Sequence, residues 1–230
     1  MSADTRLRYA CDTRVAGPQG LAEALALLAD AGLHGAVLAA DGPHLQEALD
    51  RPGDVRDRLD ALCLEVVLDA GAVPADGRLE RVRGVCDLAD ALRAEAVLLR
   101  APTGGEAAQL ADGLAALVAS HGHAPYALAL RPAPGTLVED ADAWARLHAE
   151  VPGLSLALAT GHGPAAVHAG AAHLRAAVLD DPADPGLPAA LQALVDVTYD
   201  GLVAVAPRGE PPAAVVRALL AVDGGAAPHG

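Results

Sequence analysis

Residues 126–163 read YALALRPAPGTLVEDADAWARLHAEVPGLSLALATGHG, and the reading of this stretch decides the fold. Two strands stand in it. In the first, Leu128 and Leu130 alternate with Ala127 and Ala129; in the second, Leu156 and Leu158 alternate with Ala157 and Ala159. A strand that is apolar on both faces belongs in a parallel sheet covered by helices. A period of two then sorts its side chains into two buried faces. The leucines are expected against the helices and the alanines on the opposite side. Each strand ends in a polar turn, at Arg131-Pro132 and at Thr160-Gly161-His162, and residues 139–151 form a helix between them.

The same alternation of strand and helix extends to both ends of the chain. Strands are expected at residues 6–12, 35–41, 63–69, 94–100, 174–181 and 201–206. Helices are expected at 19–32, 44–62 (with an interruption at Pro52-Gly53), 77–93, 106–120, 163–173, 187–198 and 211–222, bounded by Gly and Pro where their periodicity stops. Eight strand–helix units of this length predict a (β/α)8 TIM barrel. A doubly wound open sheet is the competing architecture. It would want a GxGxxG fingerprint after the first strand, which the sequence lacks. One domain over residues 1–223 is expected, followed by a tail at 224–230.

Composition bounds the partners. The 230 residues are 53% hydrophobic, but Phe, Lys, Ile and Asn are absent, so Leu, Val and Ala must do the packing. A formal net charge of −14 repels phosphate backbones and anionic membranes. Nucleic acid and membrane are therefore not expected partners, and no apolar run reaches the length of a membrane span. Cys11, Cys63 and Cys86 show no CxxC spacing and cannot all pair. They read as reduced thiols of a cytoplasmic protein.

In such a barrel the functional residues lie at the C-terminal ends of the strands. Those ends carry Asp12, Asp41, Asp69, Arg100, Arg131, His162, Asp180, Asp181 and, just past the eighth strand, Arg208. An Asp after a strand is commonly a turn former or helix cap. Arg100 and Arg131 are more informative, because they close neighbouring strands. Two inward guanidiniums need a carboxylate from the protein or an anionic ligand. His162 is a candidate proton carrier near neutral pH. His121-Gly122-His123 has the look of a metal pair but stands at the wrong end of the barrel. Arg8, Glu65 and Glu95 fall early in their strands and are expected to form ion pairs at its floor. Trp144 and His148, one helical turn apart, read as packing.

Several of these stretches resemble the xylose-isomerase-like sugar phosphate isomerase/epimerase family. The likeness is diffuse through residues 27–40 (LLADAGLHGAVLAA), 91–102 (ALRAEAVLLRAP) and 198–206 (TYDGLVAVA). It is sharper at 128–140 (LALRPAPGTLVED) and 156–163 (LALATGHG), where family members usually read LALEPxPGTLVNT and LxLDTGH. The resemblance implies a (β/α)8 barrel and proton transfer beside a sugar carbonyl on a divalent metal. It places the metal ligands at a Glu ending strand five, an Asp ending strand six, a His on strand seven and a Glu ending strand eight. Here those places correspond to Arg131, Ala159, Ala177 and Ala206, and of the DTGH motif's polar residues the Asp is lost while His162 remains. Hard cations need oxygen or imidazole ligands, so no metal cofactor is expected.

The leading expectation is a barrel that binds a small anionic or polyhydroxylated metabolite through Arg100, Arg131 and Arg208, with His162 and Asp180 as catalytic candidates. Its chemistry would be altered or absent; if active, it would be an isomerase, epimerase or lyase acting on a sugar or keto acid. One alternative is a pseudoenzyme that works through a protein partner. The other is an active metal isomerase with a shifted site drawn from Asp41, His44, Asp69, His162, Asp180 and Asp181. Homo-oligomerisation is left open.

Overall fold

The two alanine–leucine strands sit side by side in a closed barrel of eight parallel strands, in the order β1 to β8. The computed structural model describes residues 7–75, 79–181 and 184–205. Its strands are β1 (Arg8–Asp12), β2 (Gly35–Ala39), β3 (Glu65–Ala72), β4 (Ala96–Arg100), β5 (Ala127–Arg131), β6 (Ser155–Ala159), β7 (Leu174–Leu179) and β8 (Leu202–Val205). Between them run α1 (Leu21–Asp30), α2 (Pro43–Asp50), α3 (Pro52–Leu62), α4 (Glu80–Leu92), α5 (Ala107–His121), α6 (Ala141–Glu150), α7 (Gly163–Gly170) and α8 (Leu187–Asp196). The expected helix at 211–222, the tail at 224–230, Ala206 and Arg208 lie outside the described residues.

Local chemistry explains where these elements begin and end. Pro52 at the first position of α3 cannot donate a backbone hydrogen bond, so the expected helix 44–62 is two helices that meet at Arg51. Asp140 caps α6 by accepting from Ala143 N at 2.8 Å, which starts that helix two residues later than its periodicity suggests. Strand β3 runs three residues past its expected end at Asp69. There the Asp69 carboxylate accepts from Gly71 N at 2.8 Å. Gly71 takes a left-handed φ of 75°, and the pairing with β4 shifts register between Asp69 and Ala72.

The barrel divides the core in two. Leu128, Leu130, Leu156 and Leu158 join the outer cluster packed under the helices. Ala129 and Ala157 belong to the inner cluster with Ala10, Val37, Val67, Ala96, Leu98 and Val178, with Ala127 packed against it. This is the expected sorting of the two faces. One assignment is corrected. Ala177 lies in the outer cluster, while Ala176 and Val178 face inward. The pairing of β6 with β7 shifts between Leu156 and Ala157, a displacement invisible in a strand whose last four residues are all apolar.

The N-terminal floor is closed by charge. Arg8 donates to Glu65, to Glu95 at 2.7 Å and to the Asp200 carbonyl. Glu95 also accepts from Leu202 N at 3.2 Å. These are the ion pairs expected there. Among the described residues no helix is long and apolar enough to cross a membrane.

Candidate active site at the barrel mouth

The inward parity that places Ala127 and Ala129 in the barrel also brings Arg131, two residues on, into its C-terminal mouth. Arg100 ends β4 and pairs directly with Arg131 in the sheet register, so the two guanidiniums leave adjacent strands side by side. They share a cavity of about 40 Å³ with Asp12, Arg14 and Asp69, above an apolar base that includes Val37, Leu98, Val178 and Ala204.

The charges are unevenly satisfied. Asp12, only 4% exposed, takes a bidentate grip from Arg14: Nε and Nη2 donate to Oδ2 at 2.9 and 2.5 Å. Arg14 N donates to Asp12 Oδ1 at 2.9 Å, and Arg14 Nη1 reaches Asp41 at 2.9 Å. Arg131 Nη1 donates to Asp180 Oδ1 at 3.0 Å. The Arg131 side chain is 21% exposed, and its enclosed Nε has no acceptor among the described residues. Among the described residues Arg100 has no side-chain hydrogen bond or ion pair. Asp69 uses one carboxylate oxygen on Gly71 N.

The sequence candidates thus separate into groups. Arg100, Arg131 and Asp180 come together, joined by Asp12 and Asp69. His162 ends the short 3-10 turn Thr160–His162; its Nδ1 lies 3.1 Å from the Ala159 carbonyl, and it does not line the cavity. Asp41 is drawn to the rim by Arg14. His44 is buried under α2 with Nε2 2.8 Å from the Gln19 carbonyl. Arg14 is the mouth residue missed by sequence reasoning; the Asp-x-Arg spacing after β1 is the signal that would have found it.

Other chemistry-bearing residues have structural roles. His121 Nδ1 meets the Tyr126 hydroxyl at 3.0 Å. Trp144 stacks on His148 with ring centroids 4.8 Å apart. Burial pushes the Cys11 thiol up to about 12 and the Cys86 thiol up to about 11, so neither is a thiolate at neutral pH. A larger groove of about 410 Å³ lies on the outer wall between α1 and α3, lined by residues such as Leu21, Leu25, Arg51 and Arg58. It is far less convincing as a reaction site than the mouth, because no strand end reaches it.

Arg131 closes β5, Ala159 closes β6, and the inward residues of β7 are Ala176 and Val178. Among the described residues no three His, Cys, Asp or Glu side chains converge as a ligand group. The eighth-strand position, Ala206, lies outside those residues.

No family model matches the sequence, and no curated protein matches it. Solved structures do match the fold. A 3-keto-D-glucoside 4-epimerase from E. coli superimposes with a TM-score of 0.80 at 12% identity, over 94% of this chain and 99% of that one. A xylose isomerase domain protein from Salmonella typhimurium gives 0.74 at 14% identity, over 96% and 97%. A D-allulose 3-epimerase from Methylomonas sp., in complex with D-allulose, gives 0.71 at 18%, over 87% and 83%. The fold is therefore that of the xylose-isomerase-like TIM barrels.

Proposed function

We propose that this sugar isomerase/epimerase-like barrel binds a small anionic or polyhydroxylated metabolite at its C-terminal mouth, with a fixed guanidinium where a metal-centred relative would hold its cation. The observation that carries this reading is Arg131. It enters the mouth at the end of β5 with one carboxylate partner and, among the described residues, no acceptor for its enclosed Nε and no partner for the neighbouring Arg100. Arginine pairs well with carboxylate and phosphate through its planar fork. The D-allulose complex of a barrel with the same fold supports a small hydroxylated ligand.

In this reading the ligand's anionic group competes with Asp180 for Arg131. The displaced Asp180 is then the nearest candidate base, with His162 on the adjoining strand-end turn as the second. A guanidinium aimed at the reacting carbonyl would stabilise an enolate as an oxyanion clamp does. Arg208, just past β8 in the sequence, is proposed as a further contact. Catalysis on this pattern needs no ligand set of the kind that Ala159 and Val178 fail to provide.

Thermal unfolding followed by the fluorescence of Trp144, the single tryptophan, tests the reading. D-gluconate should stabilise the wild type and have no effect on Arg131→Ala. Equal stabilisation of the variant would sink the proposal. Elemental analysis gives a second check: one tightly held divalent metal per chain would favour a metal isomerase with displaced ligands instead.

A further inference from the structure

We infer that the ligand of this mouth is a short hydroxy acid held by a single carboxylate between Arg100 and Arg131, with its neighbouring hydroxyl donated to Asp69. This rests on the reading of the mouth as an anion site and narrows it.

Size is the first argument. The cavity of about 40 Å³ has room for roughly three water-sized atoms, since one such sphere takes about 10–15 Å³. A carboxylate has three heavy atoms in a plane, and a phosphoryl group has four in a pyramid. Charge is the second. Arg14 is engaged by Asp12, and Arg131 by Asp180. Among the described residues that leaves one uncompensated guanidinium, Arg100, and Asp69 faces it across the same small space. With Asp69 set against Arg100 the named charges already cancel, so a monoanion adds one uncompensated negative charge and a dianion adds two, which favours the monoanion.

Geometry supplies the rest. Arg100 and Arg131 are register partners, so their backbones stand about 4.8 Å apart. Two planar forks at that spacing can hold a planar carboxylate from both sides. Asp69 has one oxygen on Gly71 N and the other available as an acceptor for a hydroxyl beside the carboxylate. Beneath them Val37, Leu98 and Val178 offer no donor or acceptor. The remainder of the ligand therefore extends outward, past Asp180, rather than down the barrel.

Calorimetric titration of the purified chain with D-glycerate, propionate, glycerol 3-phosphate and glycerol separates the possibilities. D-glycerate should bind, and glycerol and glycerol 3-phosphate should not. Loss of one charge-assisted contact in Arg100→Gln should weaken D-glycerate about tenfold. Asp69→Asn keeps an acceptor for Gly71 N; because it also removes a negative charge that opposes both carboxylates, the test is the ratio, and D-glycerate should weaken relative to propionate by about threefold or more. Tight binding of glycerol 3-phosphate that depends on Arg131 would overturn the carboxylate inference and leave the anion site standing. Absence of binding by both anions, or binding unchanged in Arg131→Ala, would overturn both. Should Arg131→Ala fail to fold, the exposed Arg100→Gln decides, and unaltered D-glycerate affinity in it counts against the inference.

Discussion

The two ends of the barrel use the same residue type for opposite purposes. At the floor, Arg8 is surrounded by Glu65, Glu95 and the Asp200 carbonyl, so one guanidinium meets three acceptors. At the mouth, Arg131 has a single carboxylate and Arg100 has none among the described residues. Among the described residues the floor arginine is fully partnered and the mouth arginines are not. An arginine whose donors are all used by its own protein is holding structure together. Arg131 differs: its enclosed Nε has no acceptor among the described residues, which leaves a desolvation cost that a partner would relieve.

The largest expected effect breaks the floor. Arg8→Ala leaves Glu65 and Glu95 together without their cation. Because the Arg8 side chain is 32% exposed, the loss is expected at about 2 kcal/mol, below the range for a fully buried pair. Urea unfolding followed by Trp144 fluorescence measures it. A loss no greater than that of a surface arginine would erase the contrast between the two ends.

Steric closure of the floor should be nearly as sensitive. A Cβ on Gly35 would stand 2.9 Å from both the Glu65 carbonyl oxygen and Leu202 Cδ1, and 3.2 Å from Ala10 Cβ. Gly35→Ala is expected to cost about 1–2 kcal/mol through this overpacking, read as a lowered urea midpoint at unchanged m-value. An unaltered midpoint would mean that the inner layer is loosely filled.

A smaller effect comes from protonation. Burial raises the Glu95 carboxyl above its ordinary value, although Arg8 pulls it back. The folded state then holds the proton more tightly than the unfolded chain does. Glu95 therefore adds stability as pH falls through its raised value, and that contribution is lost as pH rises again. Relative to Glu95→Gln, the wild type should gain stability on acidification through the carboxylate range. A gap between the two proteins that stays constant with pH would show that Arg8 cancels burial, and the opposite trend would show that Arg8 outweighs it.

The smallest effect belongs to the mouth. Arg100→Ala is expected to change unfolding stability by less than about 0.5 kcal/mol, since no partner is lost. A large destabilisation would move Arg100 into the structural class and weaken its assignment to ligand binding.

The fold was legible because its signals are local. Alternation of Leu with Ala in 127–131 and 155–159 marks two buried faces whatever surrounds them. Glycine and proline between the periodic segments mark the turns. The floor ion pairs were legible too, since charged residues early in three strands have nowhere else to meet in a closed parallel barrel. Parity in β7 was not. Ala176, Ala177 and Val178 are interchangeable to a pattern reader, and only the register shift against β6 decided that Ala177 faces the helices. The company kept by each mouth residue was equally hidden, since Asp180 and Arg131 are 49 positions apart.

What the sequence determined by itself was the barrel, the inward rank of small residues and the presence of two arginines at neighbouring strand ends. Tertiary structure alone decided which arginine is paired, which acid pairs it, and that Arg14 rather than a distant residue grips Asp12. The division has a simple physical origin. Backbone periodicity and turn chemistry act over a few residues, whereas ion pairing depends on where closure of the barrel brings strand ends that the chain keeps far apart.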